Sequence, residues 1–311
     1  MPGELLIAAG PGEWRAAWLE AGAAVELYVE RGDVAPPGSV HLGRVVRRAP
    51  GLDSAFVEIG EARPGLLPAR EAAAAGVRLD EGAAILVQVR REAQQDKGAR
   101  LSVRLVPRDP GAAPLDFAAR AAALDPPARL DPPPGFAAAL ALRLPAVPGR
   151  VRADDPAAIA PLREAFPGAE IAHEAAALWP IDLDAVFDAA LAPTLALAGG
   201  GSIHIAQTRA AVMIDVDTGT PRAGSAERAA LAINLAAARI VAREVRLRHL
   251  GGGILIDFVG LDGRPARQRV RHALAGALAG DPAEPQILGW TRLGHLELVR
   301  RRRARPLAEA L

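Results

Sequence analysis

Apolar and polar positions follow two different patterns along the chain. In the first third, apolar residues recur in short runs, which predict strands at residues 4–9 and 24–30. Five more short runs, separated by Gly and Pro, predict further strands at residues 40–47, 54–59, 65–67, 84–90 and 100–106. Five short strands in about 70 residues favour a small closed barrel, and the OB-fold is the commonest barrel of this size.

The rest of the chain changes to helical spacing and then to alternating strands and helices. Residues 107–156, rich in Pro and Ala, predict a linker or a remnant subdomain without a packed core. Helical spacing returns at residues 156–166 and 183–191. From residue 199 the pattern predicts strands at 202–207, 210–216, 253–259, 285–289 and 293–300, and helices at 225–248 and 265–279.

Composition bounds the class of protein. At 311 residues the chain suits two or three modules, and 50% hydrophobic with 23% charged residues is ordinary for a protein with a buried core. Its net charge of +1 does not indicate nucleic acid, so such binding would need local basic patches. The absence of cysteine excludes disulfides, thiol catalysis and Cys-ligated zinc. Since neither a signal peptide nor an apolar run of membrane-spanning length is evident, we expect a cytoplasmic protein.

Acidic residues end two of the predicted strands. Asp215 and Asp217 close an apolar run and, being two residues apart on a strand, should project from one face. Asp257 ends a second, uncharged run. Binding and catalytic sites commonly lie at this carboxyl edge of open α/β sheets. Three carboxylates there would repel one another without a cation, and Mg²⁺ is the cation that fits best. Taken alone the pattern is weak, because an Asp at a strand end is most often a turn or N-cap residue.

Several segments resemble the ribonuclease E/G family, in the family's order. Residues 200–219 resemble the strand pair that ends in its Ile-Asp-Val-Asn-Thr/Ser-Gly motif. Residues 233–258 resemble its Asn-Leu-Glu-Ala-Ala helix and the Ile-Asp-Phe strand that follows, with Asn234, the chain's single asparagine, at the motif's asparagine. Residues 290–302 resemble its closing strand, and residues 45–68 are similar to its RNA-binding barrel.

The resemblance implies an α+β multidomain fold, in which an RNase H-like subdomain with an inserted OB-fold RNA-binding barrel is followed by a DNase I-like α/β catalytic domain. The implied activity is that of an endoribonuclease that hydrolyses single-stranded RNA with Mg²⁺, in RNA processing or decay. The implied boundaries are residues 1–35 and 151–198 for the RNase H-like subdomain, 36–106 for the barrel, 107–150 for a reduced 5′-sensor or linker, and 199–311 for the catalytic domain.

The resemblance assigns the catalytic roles to three acids. Asp215 and Asp257 would hold Mg²⁺, and Asp217 would orient a water ligand or join the metal shell. Two positions depart from the family: its metal-site Asn is Asp217 here, and a further acid is replaced by Gly260. These departures leave open a non-catalytic RNA-binding homologue, or a scaffold protein associated with the ribosome or a degradosome, as alternatives to an enzyme.

RNA contacts are also implied. Phe56 matches an aromatic residue that stacks on a base, and Lys97, the only lysine of the chain, matches a basic residue on the RNA backbone. The family's second barrel aromatic is Leu66 here, so stacking should be weaker. In the basic run near the end of the chain, Arg300 and Arg302 would contact phosphates, and a solvated charged end is the alternative for this run.

Two family features are reduced in this sequence. The Arg-Thr pair that reads RNA 5′ ends is Arg143 followed by Leu144, in a much shortened region, so we expect indifference to a 5′ phosphate. The zinc-linking cysteines are absent, so no zinc-linked dimer is expected. Other modes of oligomerisation are left open.

Overall fold

The computed structural model divides the chain into two compact units, Met1–Glu30 with Leu140–Leu311, and Arg31–Ala139. Unit 2 is thus an insertion in the sequence of unit 1. The residues described are 3–10, 12–31, 35–93, 97–106, 116–131, 135–219, 226–261 and 263–311. Parts of two sequence predictions lie outside them, namely residues 107–115 and 132–134 of the linker and residue 225 of a helix.

The elements that follow are those of the described residues. The strands are β1 (Glu4–Gly10), β2 (Glu13–Glu20), β3 (Ala23–Glu30), β4 (Val40–Ala49), β5 (Ser54–Glu58), β6 (Gly65–Pro68), β7 (Ala84–Arg91), β8 (Arg100–Ser102), β9 (Ala128–Arg129), β10 (Arg150–Ala153), β11 (Glu170–His173), β12 (Thr194–Ala196), β13 (Ser202–Gln207), β14 (Val212–Asp217), β15 (Gly252–Asp257), β16 (Gln286–Trp290) and β17 (Leu296–Arg300). The helices are α1 (Ala69–Ala74), α2 (Phe117–Ala122), α3 (Phe136–Ala141), α4 (Ile159–Ala165), α5 (Leu183–Leu191), α6 (Ala226–Leu247), α7 (Arg264–Leu278) and α8 (Leu307–Ala310). Among these helices, none combines the length and apolar character that crossing a membrane requires.

The first sheet of unit 1 has five strands in the order β11-β10-β1-β2-β3. β1 runs parallel to β10 and antiparallel to β2, so strands from before and after the insertion share one sheet. Its apolar side packs on α5, where Leu183 and Phe187 are buried with Leu6 and Leu27. The sequence pattern predicts α5 at its observed bounds but misses β2, because β2 lacks a strict alternation of polar and apolar residues.

Buried polar groups tie the end of α6 to this sheet. Arg246 donates hydrogen bonds to Glu26 at 2.7 Å and to Glu20 at 2.6 Å. His249 donates from Nε2 to the carbonyl oxygen of Leu27 at 2.6 Å. Burial lowers the pKa of His249 to about 4, so the ring is neutral near pH 7 and one nitrogen carries the proton that it donates. α6 therefore joins the first sheet of unit 1 to the second.

The second sheet of unit 1 has six strands in the order β12-β13-β14-β15-β17-β16. α6 and α7 cover one of its faces, where alternate strand residues such as Ile203, Ile214, Ile256 and Leu298 are buried. The residues between them project from the opposite face, as the sequence pattern predicts. A mixed α+β fold is therefore confirmed, and the likeness to DNase I stays a prediction.

Unit 2 contains a closed barrel. Its ring of strands is β4-β5-β6-β8-β7, which closes because β7 and β5 both pair with β4, and β9 also pairs with β4. Val57, Leu67, Val87 and Leu101 fill the interior and are almost fully buried. The prediction of a small, OB-like barrel is confirmed.

The segment predicted to be a linker, residues 107–156, is partly folded. Leu130 is fully buried in a cluster with Val40 and Leu42. β10 lies in the same segment and is an inner strand of the first sheet, with Val151 fully buried. These short elements are anchored by too few apolar residues to produce a period, so the sequence pattern does not reveal them.

Candidate active site

Two carboxylates stand on neighbouring parallel strands of the second sheet. Asp215 in β14 and Asp257 in β15 are register partners near the carboxyl ends of their strands. The preceding residues, Ile214 and Ile256, are buried in the core at 1% and 0% exposure. Because side chains alternate along a strand, both carboxylates face the opposite side and are exposed. The structure thus brings these two predicted site residues together.

Asp217 lies two residues further along β14, on the same face. Its Oδ1 accepts a hydrogen bond from the backbone N–H of Gly219 at 2.9 Å, which forms the turn after the strand. Just before the neighbouring strand β13, a Cβ at Gly201 would lie 2.2 Å from the carbonyl oxygen of Asp217, and the φ of Gly201 is +83°, so this position requires glycine. One oxygen of Asp217 therefore supports the turn.

Two histidines extend the carboxylate pair into a row across the sheet. His204 in β13 is the register partner of Asp215, and its Nδ1 lies 2.9 Å from the hydroxyl oxygen of Thr194. On the other side, Nε2 of His295 lies 3.6 Å from Oδ2 of Asp257. Neither histidine is predicted as a site residue from the sequence. Counting back across the hairpin between β13 and β14 places His204 opposite Asp215, whereas His295 lies in a turn that sequence periodicity does not position.

The arrangement bears on the metal that the site could hold. In the part of the chain that the structure describes, no group of three or more His, Cys, Asp or Glu side chains could hold a metal ion. The structure therefore gives no support for Asp217 as a third ligand, and the assignment of Asp215 and Asp257 as the metal ligands stays a prediction. Two exposed carboxylates fit Mg²⁺, which keeps several waters and usually binds one or two carboxylates together with substrate phosphates.

On the barrel, a row of side chains crosses four strands. Arg47, Phe56, Leu66 and Arg100 are successive register partners in β4, β5, β6 and β8. The guanidinium carbon of Arg47 lies 4.4 Å from the centre of the Phe56 ring, a cation–π distance. Phe56 is only partly buried, so its ring is not a core residue of the barrel, and Lys97 is exposed shortly before β8. This row combines an accessible aromatic ring with positive charge.

The predicted contact between Arg300 and an RNA phosphate is wrong. The Arg300 side chain is 2% exposed and donates two hydrogen bonds to the Asp281 carboxylate, at 2.7 and 3.0 Å, and a third to the carbonyl oxygen of Leu250 at 2.8 Å. A guanidinium buried with these partners does not reach an RNA phosphate. Arg302 is exposed and donates to the carbonyl oxygen of Gly251 at 3.3 Å, so its phosphate contact stays a prediction.

Arginines near the reduced sensor region are paired with acids. Leu144, at the position of the family's hydroxyl donor, is buried. The ion pairs are Arg143 with Glu30 at 2.5 Å, Arg129 with Asp131 at 3.1 Å, and Arg150 with Glu170 at 3.6 Å. Indifference to a 5′ phosphate stays a prediction.

The fold and the site define an α+β protein with a carboxylate pair on an α/β sheet and a separate OB-like barrel. Residues 171–303 match the family model of the ribonuclease E/G family. The match covers the segment that carries Asp215 and Asp257, and the resemblance to the ribonuclease E/G family that the motifs indicate is confirmed.

Individual relatives match over about two fifths of the chain. The chain is 37% identical to ribonuclease E of Nostoc sp. over 128 residues, which are 41% of this chain and 19% of that protein. It is 36% identical to a chloroplastic ribonuclease E/G-like protein of Arabidopsis thaliana over 124 residues, 39% of this chain and 12% of that protein. It is 34% identical to ribonuclease G of Escherichia coli over 122 residues, 39% of this chain and 25% of that protein. The match thus spans a quarter or less of these relatives.

Proposed function

We propose that the protein is an endoribonuclease that hydrolyses phosphodiester bonds of single-stranded RNA with Mg²⁺, in RNA processing or decay. The observation that carries the proposal is the side-by-side placement of Asp215 and Asp257, within the segment that matches a ribonuclease family. Two like charges on adjacent strands are relieved by a divalent cation, and a phosphodiester brings further anionic oxygens to the same cation.

In this proposal, Asp215 and Asp257 hold the ion at the exposed face of the sheet. When bound, Mg²⁺ would stabilise the charge that develops on the phosphoryl oxygens and acidify the attacking water. Asp217 would accept a hydrogen bond from that water through the oxygen that does not support the turn. His295, in contact with Oδ2 of Asp257, would restrain the orientation of this carboxylate.

The proposed reaction is hydrolysis. The water oxygen forms a bond to phosphorus, the bond between phosphorus and the 3′ oxygen breaks, and the 3′ oxygen takes up a proton. The products carry a 5′ phosphate and a 3′ hydroxyl. These are the ends that the family resemblance implies.

Unit 2 would bind the RNA chain in the same proposal. An accessible aromatic ring such as Phe56 can stack on any base, and stacking of this kind tolerates many sequences. Arg47 and Arg100 flank Phe56 and Leu66 in the row, and their charges attract the phosphates of the same strand. Replacement of the family's second aromatic by Leu66 leaves one stacking ring in this row.

The proposal is tested by incubating the purified protein with an end-labelled single-stranded RNA. We expect cleavage with Mg²⁺, none with EDTA, and new 5′ ends that carry phosphate. The same RNA annealed to its complement is the matched substrate control and should be cut much more slowly. RNA that is bound but left uncut with either Mg²⁺ or Mn²⁺ would contradict the enzyme and favour the non-catalytic RNA-binding homologue.

Lys97→Ala should weaken RNA binding by the barrel and reduce its dependence on salt. Loss of one phosphate contact to a single strand should flatten the slope of log affinity against log salt by about 0.7. Titration of labelled RNA at several salt concentrations measures this slope. The control is Arg78→Ala, because Arg78 is an exposed barrel cation already paired with Asp80 at 3.0 Å. An unchanged slope for Lys97→Ala would mean that Lys97 is an ordinary surface charge that does not contact RNA.

A further inference from the structure

One polar residue interrupts the buried stripe of α6. Ala230, Ala237, Val241 and Val245 are buried at helical spacing, and the last three pack in the core of the second sheet. Asn234 stands in the same stripe and is fully buried. An amide in a helix interior and in an apolar core is doubly unfavourable unless its hydrogen bonds are satisfied. The side chain of Asn234 therefore needs both a hydrogen-bond donor and a hydrogen-bond acceptor nearby.

Both belong to the backbone just beyond the candidate site. Nδ2 of Asn234 donates to the carbonyl oxygen of Val259 at 2.8 Å, and the backbone N–H of Val259 donates to Oδ1 of Asn234 at 3.0 Å. The side-chain amide thus makes the pair of hydrogen bonds that a neighbouring strand would make. β15 ends at Asp257, so the backbone of Val259 has already left the ladder of the sheet.

The rest of this loop is also held in place. Phe258 and Leu261 are buried at 6% and 7% exposure in the core of the second sheet. The Phe258 ring lies 6.0 Å from the ring of Trp290, centre to centre. The buried side chains of Phe258 and Leu261 hold the loop against the core, while the amide of Asn234 holds the backbone of Val259. Asp257 is the last residue of β15, so the path of this backbone determines the position of its carboxylate.

We propose that Asn234 is a positioning residue for Asp257: it clamps both backbone groups of Val259 and thereby holds the Asp257 carboxylate beside Asp215. This inference rests on the proposed function, because Asp257 is taken as a metal ligand. Residues that orient metal ligands without touching the metal typically account for a 10- to 100-fold difference in metal affinity or activity.

Asn234→Leu is the direct test, since leucine keeps much of the volume and removes both hydrogen bonds. We expect kcat with saturating Mg²⁺ to fall about 10- to 100-fold, with KM for RNA within about threefold of wild type. Mn²⁺ titration followed by electron paramagnetic resonance should show a weaker site without RNA present. Val241→Ala is the matched control, because it removes buried volume from the same helix and leaves both hydrogen bonds between Asn234 and Val259 in place. Its kcat and Mn²⁺ affinity should stay at wild-type values.

Amide hydrogen exchange supplies a readout that needs no activity. In Asn234→Leu the Val259 amide should exchange at least about tenfold faster, while amides in β14 keep their protection. If Asn234→Leu does not fold, Asn234→Ser is the second variant and should fall between wild type and the expected values for leucine. Wild-type exchange at Val259, or an equal loss of kcat in Val241→Ala, would overturn the proposal. A wild-type protein that never cleaves RNA defeats the proposed function instead, and the exchange and Mn²⁺ comparisons still decide the role of Asn234.

Discussion

Asp257→Asn should reduce RNA cleavage by at least about 100-fold and leave RNA binding intact. Asp257 is one of two adjacent carboxylates, and asparagine keeps the shape of the side chain while removing the charge that holds a cation. Loss of a residue that only orients a metal ligand typically costs 10- to 100-fold, so loss of a ligand should cost no less. Single-turnover cleavage with Mg²⁺ measures the first effect, and RNA titration in EDTA measures the second.

The matched control for this variant is Asp188→Asn, which neutralises an exposed carboxylate of α5. It should cut RNA at the wild-type rate. Raising Mg²⁺ should recover part of the activity of Asp257→Asn, because Asp215 still offers one ligand. Wild-type cleavage by Asp257→Asn would mean that the site is misassigned, whereas loss of binding together with cleavage would mean that the substitution disturbs more than the site.

Arg300→Met should lower the free energy of unfolding of the protein by about 3–5 kcal/mol, the usual cost of leaving one partner of a buried ion pair alone. Both side chains of the Arg300–Asp281 pair are 2% exposed, so the remaining carboxylate has little access to water. Chemical denaturation followed by circular dichroism measures the change. Replacing both partners, as in Arg300→Met with Asp281→Leu, should restore part of the loss, since well-packed apolar residues often substitute for a buried pair.

The neighbouring residue is the control for this prediction. Arg301 pairs with Glu284 at 2.8 Å, but these side chains are 72% and 64% exposed, so Arg301→Met should cost less than about 1 kcal/mol. Below the unfolding transition, Arg300→Met should bind RNA as wild type does. A stable Arg300→Met variant with weakened RNA binding would mean that Arg300 contacts RNA, and it would contradict the role of Arg300 in a buried ion pair that stabilises the fold.

Much of the fold follows from local patterns. The alternation that buries Ile214 and exposes Asp215 is visible in the sequence, and so are the bounds of α5 and the small closed barrel. These features depend on residues close together in the chain. β10 escapes this reasoning because its position is fixed by pairing with the distant strand β1, and β2 escapes it because its sequence lacks a strict alternation.

The candidate site was predictable to the same extent. Residue type, strand ends and the family motifs together select Asp215 and Asp257 as candidates. The flanking His295, and the row that joins Arg47 and Arg100 to Phe56, depend on strand register, which no single segment displays. Arg300 misled for a related reason: a run of arginines looks like a solvated basic surface until a distant acid such as Asp281 is found against one of them.

The insertion of unit 2 has a consequence for the order of folding during synthesis. The backbone N–H of Ala9 donates to the carboxylate of Asp154, a partner 145 residues further along the chain. At about 5–20 residues per second, a ribosome needs roughly 7–30 s to deliver that partner. The barrel strands from β4 to β9 all emerge in this interval and can pair with one another. β1, in contrast, waits with an open edge until β10 arrives, so the nascent chain exposes an aggregation-prone strand throughout this interval.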